Sequence, residues 1–407
     1  MELVDKLYKQ LDDSQSPFCV FIDLSKAFDT INHSILLAKL KYYGLDGNAL
    51  SWFSSYLSDR RQFVEVDGFQ SKTEFIRTGV PQGSTLGPLL FIIYMNDIND
   101  VSTLLKSILF ADDTSLYSTI SVFPSRDSRE LSLKINNELV KVIDWLRANK
   151  LSLNAKKTKL MQFRYSQMNP NSLPKLTLEM NGVLIEKVET FNFLGITLSE
   201  TMSWNHHVEK IRVKISKITG VMGRIKYQVS TKILLTIYNS LILSHLHYGI
   251  LCWGFKCHKL FKSQKKAIRI ICKTKYNAHT DSLFKKLKLL KIEDIFKIQC
   301  LKFYYRLLHN KLPLYFCTNF RFIRNSDVHD RQLRHGDLFR AERVNRITTR
   351  QSLRHFLPNL LNNTSEYITN SIQAISILSF KKRIKKLYIN SYLEVCVKPH
   401  CYVCGRQ

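Results

Sequence analysis

Three aspartates occupy positions at which their carboxylates could hold metal ions. Asp23 follows the apolar run FCVFI at residues 18–22, and Asp112 and Asp113 stand at the centre of SILFADDTSLY at residues 107–117. Adjacent acidic side chains repel each other unless a cation lies between them, and carboxylate oxygens are preferred ligands of hard cations such as Mg²⁺. Two such ions about 3.5–4 Å apart can activate an attacking hydroxyl and stabilise a leaving oxygen. The three residues therefore indicate two-metal chemistry, although Asp23 alone could equally be a capping residue at a strand end.

The elements around these aspartates must bring them together from distant parts of the chain. FCVFI predicts a short buried strand that ends at Asp23, and the apolar flanks of Asp112 and Asp113 predict two strands joined by a tight turn. The stretch QFVEVDGFQSKTEFIRTG predicts a further hairpin, because Asp67 and Gly68 suit a two-residue turn. Strands interleaved with helices favour an α+β domain whose sheet is built from segments far apart in the sequence.

Helices are predicted on both sides of GVPQGSTLGP, a glycine- and proline-containing loop. Before the loop lie HSILLAKLKYY, for which Gly44 is a suitable C-cap, and NALSWFSSYLSD. After the loop, LLFIIYMNDI predicts a buried helix. A later helix is predicted from apolar residues that share one helical face, namely Leu131, Ile135, Leu139, Val142 and Trp145.

The charge of the chain is distributed unevenly. Residues 1–200 contain 22 Lys and Arg against 23 Asp and Glu, whereas residues 201–407 contain 39 against 10, so the net charges are −1 and +29. In the basic half, segments 205–227, 231–247, 258–273 and 283–310 have helical patterns. A cationic region of this density favours a polyanionic partner, and nucleic acid is the leading candidate.

The sequence contains no signal for secretion or for a membrane span. The longest apolar stretch, Leu86 to Met95, is too short to cross a bilayer, and the N-terminal MELVDKLYKQ has no apolar signal region. Nine cysteines in 407 residues do not indicate a disulfide scaffold and fit a reducing compartment. We therefore expect an intracellular protein, in the nucleus and the cytoplasm, with no membrane contact.

The motifs that contain these residues resemble, in order, those of the reverse transcriptases of non-LTR retrotransposons, the jockey and LINE-like group. FIDLSKAFDTINHSILLAKL is similar to that family's first palm motif, TGVPQGSTLGPLLFIIYMNDI to its second, FADDTSLY to its catalytic hairpin, and LSLNAKKTKLMQF and FLGITL to the later palm motif and the primer grip. An ordered series over residues 18–198 is far more specific than two adjacent aspartates. The resemblance implies a right-hand polymerase palm, with an antiparallel sheet and packed helices, at residues 1–200. It also implies a basic helical thumb-like region at 201–320 and a basic C-terminal region at 321–407.

The resemblance also implies roles for individual residues. Asp23 and Asp112 would be the principal metal ligands, with Asp113 as the third acidic member. Phe28 would be the steric gate under the deoxyribose, although a phenylalanine in isolation is more often a core residue. The remaining roles are the border of the incoming nucleotide and template base for Gln82 and Gly83, contact with the triphosphate for Lys157, and the primer grip for Phe193, Leu194 and Gly195.

For two of these residues the sequence leaves a structural alternative open. Gln82 lies in a loop rich in glycine and proline and could simply be a turn residue. Lys157 lies in AKKTK, where three lysines could form a solvated face.

Two features near the C-terminus have less specific patterns. Cys396, His400, Cys401 and Cys404 supply four zinc-ligand types, but the adjacent His400 and Cys401 suit a single tetrahedral site poorly, so we do not expect zinc. The run KKRIKK at residues 381–386 fits a nuclear localisation signal or the polar face of a last amphipathic helix.

The implied activity is that of an RNA-directed DNA polymerase, a nucleotidyltransferase. Such an enzyme extends a DNA 3′-end on an RNA template with dNTPs and two Mg²⁺ ions, or Mn²⁺ in their place. Because the first palm strand begins near residue 17, we expect the family's fingers region and endonuclease to be absent. The chain would then be a truncated copy or the product of a partial gene model. The alternative is a non-catalytic nucleic-acid-binding remnant that acts through its basic half. GVPQGSTLGPLLF and LSLNAKKTK disfavour a polymerase of the intron-maturase or telomerase type.

Overall fold

Helices and strands alternate through the first half of the chain, and helices dominate the second. The structure is a computed structural model that describes residues 1–122, 127–328, 337–346, 349–364 and 376–393. The α-helices of these residues are α1 (Glu2–Asp12), α2 (His33–Tyr42), α3 (Gly47–Leu57), α4 (Gly87–Met95), α5 (Ser128–Ala148), α6 (Asn205–Ile225), α7 (Thr231–Ile237), α8 (Ser244–His247), α9 (Ile250–Trp253), α10 (His258–Ile271), α11 (Asp281–Lys286), α12 (Ile292–Leu308), α13 (Leu314–Asn319), α14 (Leu353–Asn362) and α15 (Ile377–Asn390). The strands are β1 (Pro17–Ile22), β2 (Arg61–Gln62), β3 (Glu65–Val66), β4 (Phe69–Gln70), β5 (Glu74–Phe75), β6 (Lys106–Phe110), β7 (Asp113–Thr119), β8 (Lys159–Gln162), β9 (Glu179–Met180), β10 (Val183–Leu184), β11 (Glu186–Lys187), β12 (Thr190–Phe193) and β13 (Ile196–Ser199).

These elements belong to two units. One unit contains residues Ser14–Leu194, and the other contains Met1–Asp13 together with the described residues from Gly195 onward. The sequence-based boundary near residue 200 lies close to this division at Leu194. The helix α1, however, belongs to the second unit, and the three-part division at residues 200 and 320 stays a prediction.

The first unit is organised around a five-stranded sheet with the order β11-β8-β1-β7-β6. Every residue of β1 is buried, as the apolar run FCVFI predicts. In the register of the sheet, Cys19 lies opposite Tyr117 of β7 and Met161 of β8, and both pairings are antiparallel. The edge strand β11 instead pairs with β8 in parallel. The expectation of an antiparallel sheet therefore holds for the four strands β8, β1, β7 and β6 but not for this short edge.

Helices cover the sheet and form the core of the first unit with it. On α5, Leu131, Ile135, Leu139 and Val142 are at most 1% exposed, and each buried side chain of this size stabilises the fold by about 1.5–3 kcal/mol. The α5 prediction is therefore confirmed. At α2, the Asn32 side chain accepts a hydrogen bond from the Ile35 N–H at 3.1 Å and caps the helix.

Two other local predictions have different outcomes. The hairpin is confirmed, because β3 and β4 pair around Asp67 and Gly68, whose φ angles of 50° and 85° suit a two-residue turn. The prediction that LLFIIYMNDI is a buried helix is only half right. Leu89 and Ile92 of α4 are 50% and 53% exposed, and α4 gives way to a 3₁₀ helix at Asn96–Asp100.

In the second unit, α1 is held by polar contacts that are largely buried. The Trp204 indole N–H donates to the Tyr8 hydroxyl at 2.8 Å, and Asp5 pairs with Arg354 at 2.7 Å. The side chains of Asp5 and Arg354 are largely buried, with exposed fractions of 3% and 11%. Losing either partner would leave a buried charge unpaired.

Two segments of the second unit predicted as continuous helices are interrupted. Segment 231–247 contains the π-helical residues Tyr238–Leu243 between α7 and α8. Segment 283–310 divides into α11 and α12, because Lys288 adopts a left-handed φ of 53° and the Leu289 N–H donates to the Phe284 carbonyl, as in a Schellman motif. Within the described part of the chain no single helix has the length and apolar composition to cross a bilayer. A bent pair, Thr231–His247 and Ile250–Lys256, meets that test only when its two parts are combined.

Candidate active site

Asp23 is positioned by the strand before it and by a later loop. It follows β1 directly, and its carbonyl accepts a hydrogen bond from the Asn154 N–H at 2.8 Å. Its own N–H donates to the buried Thr158 hydroxyl at 3.4 Å. The antiparallel bridge between Leu24 and Leu153 continues this contact. The LSLNAKKTK segment therefore holds the backbone of Asp23 at the end of the sheet.

Asp112 and Asp113 lie at the turn between β6 and β7. Phe110 pairs with Asp113, so Ala111 and Asp112 are the two loop residues. Ala111 adopts a φ of 51°, which is unfavourable for a residue with a side chain. On the other side of β7, Thr114 lies opposite Ile22 of β1. This register brings Asp113 to the same end of the sheet as Asp23.

The charges of Asp112 and Asp23 act on Asp113. Burial raises the pKa of Asp113 above its usual value, and the charges of Asp112 and Asp23 raise it further. Such mutual repulsion is what a bound cation would relieve. The influence of Asp23 on Asp113 agrees with the sheet register, which brings both residues to the same end of the sheet.

The donor set of this site fits a divalent metal in its chemistry. Three carboxylates offer only oxygen ligands, which suit hard cations. Among the described residues, however, no three His, Cys, Asp or Glu side chains are gathered closely enough to ligate one ion. The side chains are therefore neighbours that repel each other, and they do not form a closed ligand cage.

A cavity of about 430 Å³ adjoins Asp112. Phe28, Gln82 and Gly83 line it, as do Lys26 and Asp29. The Phe28 ring stacks on Phe91 with centroids 4.5 Å apart, so one face of the ring is fixed by the core. A larger cavity of about 500 Å³ lies in the second unit, and its lining among the described residues has no carboxylate.

The loop that carries Gln82 is tied to the segment that carries Phe28. The Gly79 N–H donates to the Ile31 carbonyl at 2.7 Å, and the Val80 N–H donates to the Phe28 carbonyl at 2.9 Å. A Cβ at Gly79 would lie 2.8 Å from the Cα of Asp29, so only glycine fits this approach. These contacts fix the two walls of the cavity relative to each other.

Three residues of the site were not assigned by the sequence. The Asp29 carboxylate accepts a hydrogen bond from the Gln82 side-chain amide at 2.8 Å, which links the Gln82 loop to the segment that carries Phe28. Thr158 supports Asp23, and Lys26 brings a cation to the cavity. The segment SKAFD contains Lys26 and Asp29 close to Phe28, but its sequence does not indicate which of these side chains line the cavity.

The other predicted site residues are not part of this cavity's lining. Lys157 is exposed, and its N–H donates to the Asn154 carbonyl at 3.1 Å. The Phe193 ring lies 5.6 Å from that of Phe21. Leu194 and Gly195 form a turn with φ angles of 47° and 75°. The proposed zinc ligands Cys396, His400, Cys401 and Cys404 lie outside the described residues.

Comparison with known proteins shows what the chain is similar to. A family model described as reverse transcriptase (RNA-dependent DNA polymerase) matches residues 3–198. The chain is 28% identical over 311 residues to the probable RNA-directed DNA polymerase from transposon X-element of Drosophila melanogaster. The aligned region covers 72% of this chain and 32% of that protein. It is 26% identical over 310 residues to the RNA-directed DNA polymerase from mobile element jockey of the same organism, with the same two coverages.

More distant similarities extend the comparison. The Pol polyprotein of the type-1 retrotransposable element R2 of Popillia japonica is 25% identical over 291 residues, covering 65% of this chain and 44% of that protein. The superposition on a telomerase structure from Candida albicans covers 70% of this chain and 49% of the telomerase chain. Its TM-score is 0.31 and the sequence identity is 13%, a similarity too low to establish a shared fold. The chain spans about a third of the length of the X-element and jockey proteins. Residues 3–198, which include the whole first unit, thus match the reverse transcriptase family, and the chain is similar to polymerases of non-LTR retrotransposons.

Proposed function

We propose that the chain is an RNA-directed DNA polymerase that extends a DNA 3′-end on an RNA template with dNTPs. The observation that carries this proposal is the sheet register, which brings Asp23 and the turn of Asp112 and Asp113 to one end of the sheet. A cavity large enough for part of a nucleotide adjoins Asp112. Carboxylates beside a cavity of this kind suit nucleotidyl transfer, in which the protein mainly positions the reactants and neutralises charge.

Asp23 and Asp112 are the residues proposed to hold two divalent ions, with Asp113 beside them. When bound, such ions activate the primer hydroxyl and neutralise the leaving pyrophosphate. Mg²⁺ is the proposed ion because the ligands are all carboxylate oxygens. The raised pKa of Asp113 supports this assignment, because the cation would offset the charges that raise it.

The cavity walls suggest how the incoming nucleotide is selected. Phe28, whose ring is backed by Phe91, is proposed to contact the sugar and exclude a 2′-hydroxyl. Gln82, oriented by Asp29, and Gly83 are proposed to border the nucleotide and the template base. Gly83 has a φ of 78° and no neighbouring atoms near a would-be Cβ, which leaves open space for a ligand there.

The remaining roles concern the primer and the second unit. Lys157 is proposed to contact the triphosphate, and Phe193, Leu194 and Gly195 to hold the primer end. The basic helices from Gly195 onward are proposed to act as a thumb-like region for the template and primer. The proposed site of action is inside the cell, in the nucleus and the cytoplasm, where the nucleic-acid substrates occur.

Primer extension on an RNA template tests the activity. We expect Asp112→Asn to abolish extension, because it removes a proposed metal ligand without a change in size. The matched control is Asp100→Asn, a change of the same kind at an exposed aspartate outside the cavity lining. Equal extension by the wild type and Asp112→Asn would refute the proposal.

A second assay addresses the gate. Phe28→Val should increase the incorporation of ribonucleotides relative to deoxyribonucleotides, because the smaller side chain leaves room for the 2′-hydroxyl. An unchanged preference would assign Phe28 to the core alone. A chain that fails to extend primers but binds RNA in a salt-dependent manner would instead be a non-catalytic nucleic-acid-binding remnant.

A further inference from the structure

The helices α12 and α15 pack against each other through buried rings. Tyr305 of α12 stacks on Phe380 of α15 with centroids 5.3 Å apart and an interplanar angle of 24°. Phe380 and Ile384, one turn apart on α15, are 0% and 1% exposed. This apolar stripe fixes which residues of the two helices lie along their line of contact.

Four cationic side chains border that line, and we call them the basic seam: Lys302 and Arg306 of α12, and Lys381 and Lys385 of α15. The two cations of each helix are spaced i,i+4, so they lie on the same face one turn apart. Lys381 and Lys385 directly follow the buried residues of α15, and Arg306 directly follows Tyr305 of α12. Arg306, Lys381 and Lys385 are exposed, whereas Lys302 is half-buried.

The cations of the seam are close enough to influence one another. Burial lowers the pKa of Lys302, and the charges of Lys381 and Arg306 lower it further. The neighbouring His247 has its pKa lowered by burial first and then by Lys302, Lys381 and Lys385. The four charges and the imidazole are therefore one cluster drawn from three helices.

Lys302 of the seam has a neutral hydrogen-bond partner, the side chain of Gln299. The Lys302 ammonium donates to the Gln299 side-chain carbonyl at 3.3 Å, and the Gln299 amide hydrogen-bonds to His247 Nδ1 at 3.1 Å. Across the described ranges, no carboxylate lies within ion-pair distance of the four cations. The sequence of α15 contains no acidic residue at all. Among the residues that the structure describes, folding thus concentrates positive charge here without a carboxylate paired to it.

We propose that the basic seam binds the phosphates of a nucleic-acid backbone. Lysine supplies a point charge and arginine a planar fork, and both suit phosphate oxygens. A backbone with one phosphate per nucleotide can bridge cations on two adjacent helices and relieve their repulsion. The seam lies in the second unit, and its assignment rests on the role proposed above for the basic helices from Gly195 onward, but its binding is measured without primer extension.

The geometry favours nucleic acid over a transport receptor as the occupant. The run KKRIKK would act as a localisation signal through a linear segment. Here Phe380 and Ile384 anchor that segment as a helix in the core, and Lys302 and Arg306 complete the cluster from another helix. A site assembled from two packed helices suits a ligand with regularly spaced negative charges, such as the phosphates of a nucleic acid.

The chain offers a matched pair of variants for the test. Lys381→Gln with Lys385→Gln removes two charges from the seam. The control, Lys382→Gln with Lys386→Gln, removes two exposed charges at the same i,i+4 spacing from the same helix, but about 100° further around it. Both double variants have the same net charge, so any difference between them reports position.

Binding is measured by fluorescence anisotropy with the full chain between about 50 and 200 mM salt. The probes are a labelled oligouridylate and a labelled DNA duplex of equal length. The seam variant should reduce the slope of log K against log salt by about 1.4 for the single strand and about 1.8 for the duplex, because two phosphate contacts are lost. The control variant should reduce either slope by less than half as much.

Equal reductions from the two double variants would overturn the proposal, since only the net charge would then matter. An unchanged slope in the seam variant would also overturn the proposal. It would be the result, for example, if the seam bound an acidic transport protein and not nucleic acid. A reduction with only one of the two probes would support the proposal and identify the nucleic acid. Matching thermal unfolding midpoints of the two double variants would exclude misfolding as the cause of a lower slope.

Discussion

Replacement of Gly79 by alanine tests how the walls of the candidate active site are joined. An added Cβ would lie 2.8 Å from the Cα and the carbonyl oxygen of Asp29. These are backbone atoms, so relief requires the segment that carries Phe28 and Asp29 to move. That movement would break the hydrogen bonds from Gly79 N–H to Ile31 and from Val80 N–H to Phe28.

The cost of Gly79→Ala can be assembled from these parts. Alanine in the left-handed backbone region, here a φ of 87°, costs about 1–2 kcal/mol. Each of the two hydrogen bonds contributes about 0.5–1.5 kcal/mol. We therefore expect the free energy of unfolding of the first unit to fall by about 2–5 kcal/mol.

Gly83→Ala is the matched control in the same loop. Gly83 has a similar φ of 78°, but no atom lies within 4 Å of a would-be Cβ. Only the backbone cost of about 1–2 kcal/mol should therefore remain. The assay is urea unfolding followed by tyrosine and tryptophan fluorescence, with a check that the slope of the transition is unchanged. If both variants lose the same stability, the close approach of Gly79 to Asp29 does not join the cavity walls.

Two further predictions concern metal and pH. Mg²⁺ should raise the midpoint of thermal unfolding of the wild type because it offsets the repulsion at Asp113, and Asp112→Asn should reduce that rise; an equal rise in both proteins would contradict the site. For the buried His207, burial first and then Lys210 and Lys214 lower the pKa from 6.5 to about 4. The folded protein then binds fewer protons than the unfolded chain, so stability should be lost as pH falls from 6.5 to about 4, by about 3 kcal/mol at most. Urea unfolding at several pH values should show a weaker pH dependence for His207→Gln, and an unchanged dependence would contradict this cause.

Local patterns in the sequence were sufficient for the elements whose burial repeats regularly. The strand β1 is apolar throughout and buried throughout. On α5, the leucines and isoleucines that repeat at helical spacing are the residues that are buried. The Asp67-Gly68 turn was predictable for a similar reason, since its conformation is set by the two residues themselves. The helix α1 was missed although Leu3, Leu7 and Leu11 repeat at helical spacing and are buried.

Contacts between distant segments were harder to predict. The order of the motifs predicts that Asp23 lies near Asp112 and Asp113, and the register of the sheet is compatible with that prediction. The order of the motifs did not reveal that Asp29 holds Gln82, 53 residues away, because that contact depends on how the Gly79 loop lies on the segment after β1. The left-handed Lys288 between α11 and α12 was missed for another reason: lysine is a good helix former, and only its position after a helix end favours this conformation.

The two proposals concern properties that can be measured separately. The slope of log K against log salt counts cations at phosphates, so Asp112→Asn should leave the contribution of Lys381 and Lys385 to that slope unchanged. Primer extension instead requires the carboxylates, whatever the affinity for RNA. A protein that keeps the slope and lacks extension would therefore retain the seam's function without catalysis. A protein that lacks the seam but still extends primers at low salt would show that these cations supply affinity and no chemistry.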